Sequence, residues 1–245
     1  MDEDAMGEST DPETIQWRRD GSTSRTVRLL WSLGVGTFFA AITIIVFWRL
    51  YDLARQADAG AVVVGVFAAL VATILAFAVA SDTTGRLEAL ARRFPVDTQS
   101  ERGLERAMDA ALGMVAMLAV IGSLMAIGRV VSQQDLLGGV GAGPFTGAAA
   151  LSLPLALVAL VCASFLRSVG ALDREEGVLY LYDPDQAIDL DVIVDVSTRR
   201  VGDAAILKLE YAQPDGQYVA GPRRIVVPPA VARELESLLE RRASA

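Results

Sequence analysis

Four uninterrupted apolar stretches occupy the first two thirds of the chain: Leu29 to Trp48, Gly60 to Ala80, Ala110 to Gly128 and Gly147 to Leu166. None of them contains a charged residue. Each is close to the roughly 20 residues a helix needs to cross a hydrocarbon core of about 30 Å. A soluble helix keeps one polar face, and four successive segments without one predict four transmembrane helices. The first stretch is too long and begins too far from the start to read as a cleaved export signal. It is read as an uncleaved span.

Beyond the fourth stretch the period falls to two. Gly177 to Tyr182 is a short apolar run, Val192, Val194 and Val196 alternate with polar residues, and so do Ala205, Leu207, Leu209 and Tyr211. Alternation of this kind predicts strands. Gln213-Pro214-Asp215-Gly216 has the residues of a tight hairpin, after which Tyr218 and Val219, then Ile225 to Val227, return the chain to the sheet. Pro228-Pro229 predicts a final helix start, with Val231, Leu235, Leu238 and Leu239 on one apolar face. The expected organisation is an acidic, unfolded tail over residues 1–28, a four-helix membrane domain over 29–172, and a small α+β domain over 173–245. That last domain is expected to be an antiparallel sheet of about five strands closed by one helix.

The connection between the second and third spans has structure of its own. Leu87, Leu90, Ala91 and Phe94 recur at helical spacing, which fits either a surface helix or a continuation of the second span, and Pro95 ends it. Thr98 and Glu101 have capping-box spacing for a new helix running into the third span. Gly138 to Gly147 is read as an external turn entering the fourth span, with a re-entrant loop as the alternative. A phosphate loop would need a preceding strand and a following Lys-Ser/Thr pair, and neither is there.

Arginine placement orients the spans. Arg18, Arg19, Arg25, Arg28, Arg86, Arg92, Arg93, Arg102, Arg106, Arg167 and Arg174 flank one side, against Arg49, Arg55 and Arg129 on the other. Positive-inside counting places both termini in the cytoplasm of a multi-pass cell-membrane protein. Small residues recur every four positions at Gly65 and Ala69 and at Gly122 and Ala126, a spacing that lets helices approach closely in lipid.

Charge excludes one class of partner. With 30 Asp plus Glu against 22 Lys plus Arg, the chain lacks the cationic surface that neutralises nucleic-acid phosphates. Lys208 is the sole lysine, and this acidic, lysine-poor composition resembles that of proteins from salt-loving archaea. Catalytic chemistry finds no support. The chain has no histidine and a single cysteine, Cys162, so neither a zinc site nor a thiol pair is expected. The charged residues nearest to membrane depth, Asp109 and Arg129, stand at the ends of the third span, which disfavours a proton-coupled pump. Neither cofactor, metal nor enzymatic activity is expected.

The segments GVLYLYD, DLDVIVDV, GDAAILKLEY, the Asp-Gly hairpin and PPAVARELESLL together resemble the small pleckstrin-homology-like domains attached to prokaryotic membrane proteins. The resemblance covers roughly Glu175 to Arg242. It implies a sheet closed by a C-terminal helix, and in lipid-binding members basic residues of the first hairpin loop hold phosphates. Here that stretch is Asp183-Pro184-Asp185-Gln186, which implies weak attraction to anionic headgroups. The expected function is a non-catalytic membrane protein, scaffold-like, whose cytoplasmic domain binds another protein or a second copy, with Arg199, Arg200, Arg223 and Arg224 as the candidate surface. The alternative is a passive channel or transporter for a neutral solute, which would need a polar path lined by Thr37, Thr43, Thr73, Ser123 and Ser152. Its expected partners are the lipid bilayer and a protein, with no nucleic acid.

Overall fold

A computed structural model describes residues 13–79, 101–136, 138–183, 185–212 and 221–243. The element order is β1 (Thr14–Arg19), α1 (Arg25–Arg55), α2 (Gly60–Val79), α3 (Glu101–Gln133), α4 (Gly143–Phe165), β2 (Ser168–Asp173), β3 (Val178–Tyr182), β4 (Asp185–Asp189), a 3-10 turn (Leu190–Val192), β5 (Ile193–Val201), β6 (Ala204–Tyr211), β7 (Arg224–Val227) and α5 (Pro229–Ala243). Helices α1 to α4 are each long and apolar enough to cross a membrane. The chain divides into two units: Arg28–Ala163, and the segment up to Val27 together with Ser164–Ala245.

In the helical unit the tightest approach is between α1 and α3. A Cβ on Gly36 would collide with the backbone of Gly113 and Met114, and one on Gly113 would collide with the Ser32 carbonyl. Ser32, Gly36 and Ala40 therefore form the small face that brings the two helices together, and Ala40 is fully buried. One turn before Ser32 and Gly113, Arg28 grips Asp109 with both ends of its guanidinium: Nε donates to Oδ2 at 2.7 Å and Nη2 to Oδ1 at 2.5 Å. Helix α2 joins through Phe47 and Phe67, whose ring centroids are 4.8 Å apart. Helix α4 runs unbroken through Pro154 and starts at Gly143, so part of the glycine-rich stretch read as a turn is helix. Gly138, Gly139 and Gly141 keep positive φ in the turn that remains.

The other unit is built from two antiparallel sheets, β1-β2-β3-β4 and β5-β6-β7. That is seven strands among the described residues, where about five were expected in one sheet. Leu172, Leu179 and Leu181 of the first sheet share one core with Leu207, Leu209 and Ile225 of the second and with Val231 and Leu235 of α5. The apolar face expected for the last helix is the face that is buried. Strand β5 departs from strict alternation: the register shifts between Ile193 and Asp195, so Ile193 turns inward while Val194 is 70% exposed.

The largest correction concerns the N-terminal segment, expected to be unfolded through residue 28. Thr14–Arg19 is a strand paired antiparallel with β2 along its full length, from Thr14 opposite Asp173 to Arg19 opposite Ser168. The physical reason is period-two patterning: Trp17 and Arg19 are buried while Gln16 and Arg18 are exposed, and partly buried Ile15 packs against the core. Three inward residues are enough for an edge strand that docks on an existing sheet. The expectations for residues 1–12, for the Arg86 to Phe94 helix and for the Gln213–Gly216 hairpin fall outside the described residues.

The α1–α3 crossing yields a direct test. Gly113→Leu should lower stability of the full chain in detergent by about 2 kcal/mol or more, because backbone has to move to admit the side chain. Gly122→Leu should change it by less than about 0.5 kcal/mol, since a Cβ at Gly122 meets nothing within 4 Å. Equal losses in thermal unfolding would reject this crossing.

Candidate functional site

The register of β5-β6-β7 separates the four arginines singled out from sequence. Ser197, Lys208 and Arg224 stand opposite one another in a row, and Arg199, Ile206 and Val226 form another. Directly opposed residues project from the same side of a sheet, so Arg199 and Arg224 share an outer face with Lys208 between them. Arg200 stands opposite buried Ala205 and belongs to the other side, with Thr198, whose hydroxyl donates to Glu236 of α5. Arg223 precedes β7, and its carbonyl accepts from Leu209 N at 3.0 Å. All four arginines are exposed. Lys208 is held by Glu210 at 2.6 Å. The acidic pair Asp183 and Asp185 flanks the β3–β4 turn in the other sheet.

Among the described residues, the small positions of α2 and α3 singled out from sequence are not packed against another helix. A Cβ at Gly65 or Gly122 would meet nothing within 4 Å, and Ala69 and Ala126 are exposed. Hydroxyls on the helices are mostly tied to their own backbones. Thr37 donates to Leu33 O at 2.7 Å, Thr73 to Ala69 O at 2.8 Å and Ser152 to Ala149 O at 2.7 Å. Thr43 reaches Met114 Sδ at 3.5 Å. Thr37 is buried, whereas Thr73 and Ser123 are on the exposed surface of their helices.

The strongest polar constellation was not among the residues picked from sequence. Arg19, at the end of β1, is 4% exposed. Its Nε donates to Leu166 O at 3.1 Å, its Nη1 to Asp203 O at 2.7 Å and its Nη2 to Asp203 Oδ1 at 2.7 Å. Asp203 lies in the turn between β5 and β6, and its other oxygen accepts from Ser24 Oγ at 2.9 Å. Ser24 in turn accepts from Val27 N at 3.2 Å and caps the start of α1. Partial burial alone would raise the Asp203 pKa. The hydrogen bonds from Arg19, Thr26 and Ser24, with the Arg19 charge, outweigh burial and hold the carboxyl well below the usual carboxylate range. The clamp therefore gathers a strand end, a sheet turn and residues adjoining two membrane helices. A lone inward arginine two residues after Trp17 was the sequence signal for it.

Next to the clamp the fit is less complete. Trp17 lies over Gly170, where any Cβ would strike its indole ring and the Tyr180 carbonyl. Trp17 Nε1 and Ser168 Oγ are the two buried side-chain polar atoms without a hydrogen-bond partner among the described residues. Both belong to the β1–β2 seam. Among the described residues no group of three or more metal-ligand side chains converges. No protein-family model, no curated protein and no solved structure matches the chain.

The clamp predicts a pH dependence of defined sign. Because the Asp203 pKa is depressed on folding, its contribution is present above the unfolded value of about 3.9 and is lost as pH falls below it. Asp203→Asn should destabilise at neutral pH by about 1 to 3 kcal/mol, nearer the lower figure because water reaches the partly exposed carboxylate. The deficit relative to wild type should shrink between about pH 4 and pH 3. Thermal unfolding across that range checks it, and a deficit independent of pH would mean the carboxylate is not held in its ionised form.

Proposed function

We propose that the chain is a non-catalytic, multi-pass protein of the cell membrane, with both termini in the cytoplasm, whose sheet unit binds another protein or a second copy of itself. The pairing of β1 with β2 supports the hairpin topology. One strand precedes the first span and the other follows the fourth, so strands joined in one sheet require an even number of crossings. The arginine asymmetry then selects the cytoplasmic side. Two antiparallel sheets of four and three strands around one core, closed by α5, support reading the unit as pleckstrin-homology-like, with the membrane helices inserted after its first strand.

The observation that carries the binding reading is the outer face of β5-β6-β7. Arg199 and Arg224 are exposed there, with no ion pair to another described residue, in a domain that is acidic by composition. Exposed guanidiniums on a rigid sheet suit carboxylates of a protein partner. The transport alternative draws less support, because Thr37, Thr73 and Ser152 donate to their own helices, Thr43 reaches Met114 and Ser123 is exposed. The acidic β3–β4 turn keeps anionic headgroups a weaker choice than protein.

Two experiments test this reading. In a Cys162→Ala background, Gln134→Cys and Asp97→Cys should react oppositely with an impermeant thiol reagent, the former from outside intact cells. Reaction of the Asp97→Cys variant from outside, with the Gln134→Cys variant protected, would reverse the topology. A photo-crosslinking residue at Arg199 or Arg224 should give discrete protein adducts in native membranes, while one at Glu175 should not. Absence of adducts, together with passage of a neutral solute by the reconstituted protein, would hand the assignment to transport.

A further inference from the structure

We infer that the edge of β2 is a strand-accepting groove, filled by β1 in this conformation, whose partner in trans is an extended peptide with an aliphatic residue, an aromatic and an arginine at alternate positions. The inference rests on the protein-binding reading above and gives that function a second, more specific surface. Strand β1 is the outermost of its sheet and touches one neighbouring strand, β2. It is joined to α1 through the short segment Asp20 to Ser24. Its backbone pairing with β2 is the mode by which sheet edges recognise extended peptides, with alternate side chains supplying specificity.

Those side chains define the ligand. Ile15 packs against the core, Trp17 lies in the space left by the missing side chain of Gly170, and Arg19 enters a receptor built from Leu166 O, Asp203 O and Asp203 Oδ1. The receptor atoms all belong to the chain after α4, so they exist independently of which strand occupies the groove. Both unpartnered buried polar atoms, Trp17 Nε1 and Ser168 Oγ, lie along this one seam. The rest of the core has no such mismatch among the described residues, so the β1–β2 seam is the least well satisfied part of the unit. An occupant that satisfied either atom would compete with β1. The resident strand retains the advantage of attachment, equivalent to a local concentration in the millimolar range.

The experiment weakens the resident strand and supplies a replacement. The full chain carrying Trp17→Ala and Arg19→Ala is placed in lipid nanodiscs and titrated with a fluorescein-labelled peptide of the sequence Thr14 to Asp20, read by anisotropy. The peptide should bind the double variant at least about tenfold more tightly than wild type, and a peptide with alanine at the Arg19 position should lose that binding. If the double variant leaves the sheet unit open to protease, the wild-type peptide should restore its resistance. Lack of saturable binding with no gain in protease resistance would overturn the inference, as would equal binding of the alanine peptide. Crosslinking from Arg199 and Arg224 is a separate readout. Adducts there alongside a failed peptide titration would reject the β2 groove and leave the protein-binding reading standing.

Discussion

A strand made before the first membrane helix is hydrogen bonded to a strand made after the fourth, and the sheet unit depends on that closure. Arg19 and the Leu166 carbonyl it binds are 147 positions apart. Closing a chain that long adds little entropy beyond closing a short one, because the penalty grows only with the logarithm of length. Contacts so remote in sequence can form only late, however, after every span has been made. The sheet unit is thus complete only in a chain that has finished its membrane domain, and the core position filled by Trp17 stands empty until then.

Burial of Arg19 deepens this dependence. A guanidinium removed from water is tolerated only with its donors satisfied, and its acceptors come from the end of α4 and the β5–β6 turn. Neither segment alone presents both. Removing either partner would leave a buried charge half solvated, which makes the clamp a test of correct assembly more than a large source of stability. The Asp203 carboxylate completes the arrangement by reaching Ser24, so the residue that caps α1 is held by the same group that holds β1.

Legibility from sequence followed the strength of the periodic signal. Spans of 20 apolar residues tolerate no competing reading, and the helices lie where the hydropathy puts them. The amphipathic C-terminal helix and the alternating β6 were equally plain, since each buries a face of four or more apolar residues. Strand β1 was hidden because its three inward residues are surrounded by acids and hydroxyls typical of unfolded segments. Its stability is borrowed from β2, not intrinsic. The β5 bulge escaped for a related reason: a shift of one residue reverses the faces of everything beyond it, and no local residue announces it. The small-residue pattern was read in α2 and α3, while Ser32, Gly36 and Ala40 in α1 obey the same spacing and make the close crossing. Spacing alone does not say which of several small faces meets another helix and which meets lipid.

The candidate surface shows the same division between pattern and register. Adjacent arginines in a strand project to opposite sides, so Arg199 and Arg200 cannot form one patch despite being neighbours, whereas Arg199 and Arg224 do share a face across Lys208. Pairing residues by closeness in sequence therefore joins groups that the pleat separates. The converse holds for Arg19 and Asp203, which no reading of neighbours would connect and which the fold brings to 2.7 Å. In a domain cut in two by its own membrane helices, the residues that matter most to each other are those the sequence holds furthest apart. A change on one side of the insertion, at Arg19, acts through a turn on the other.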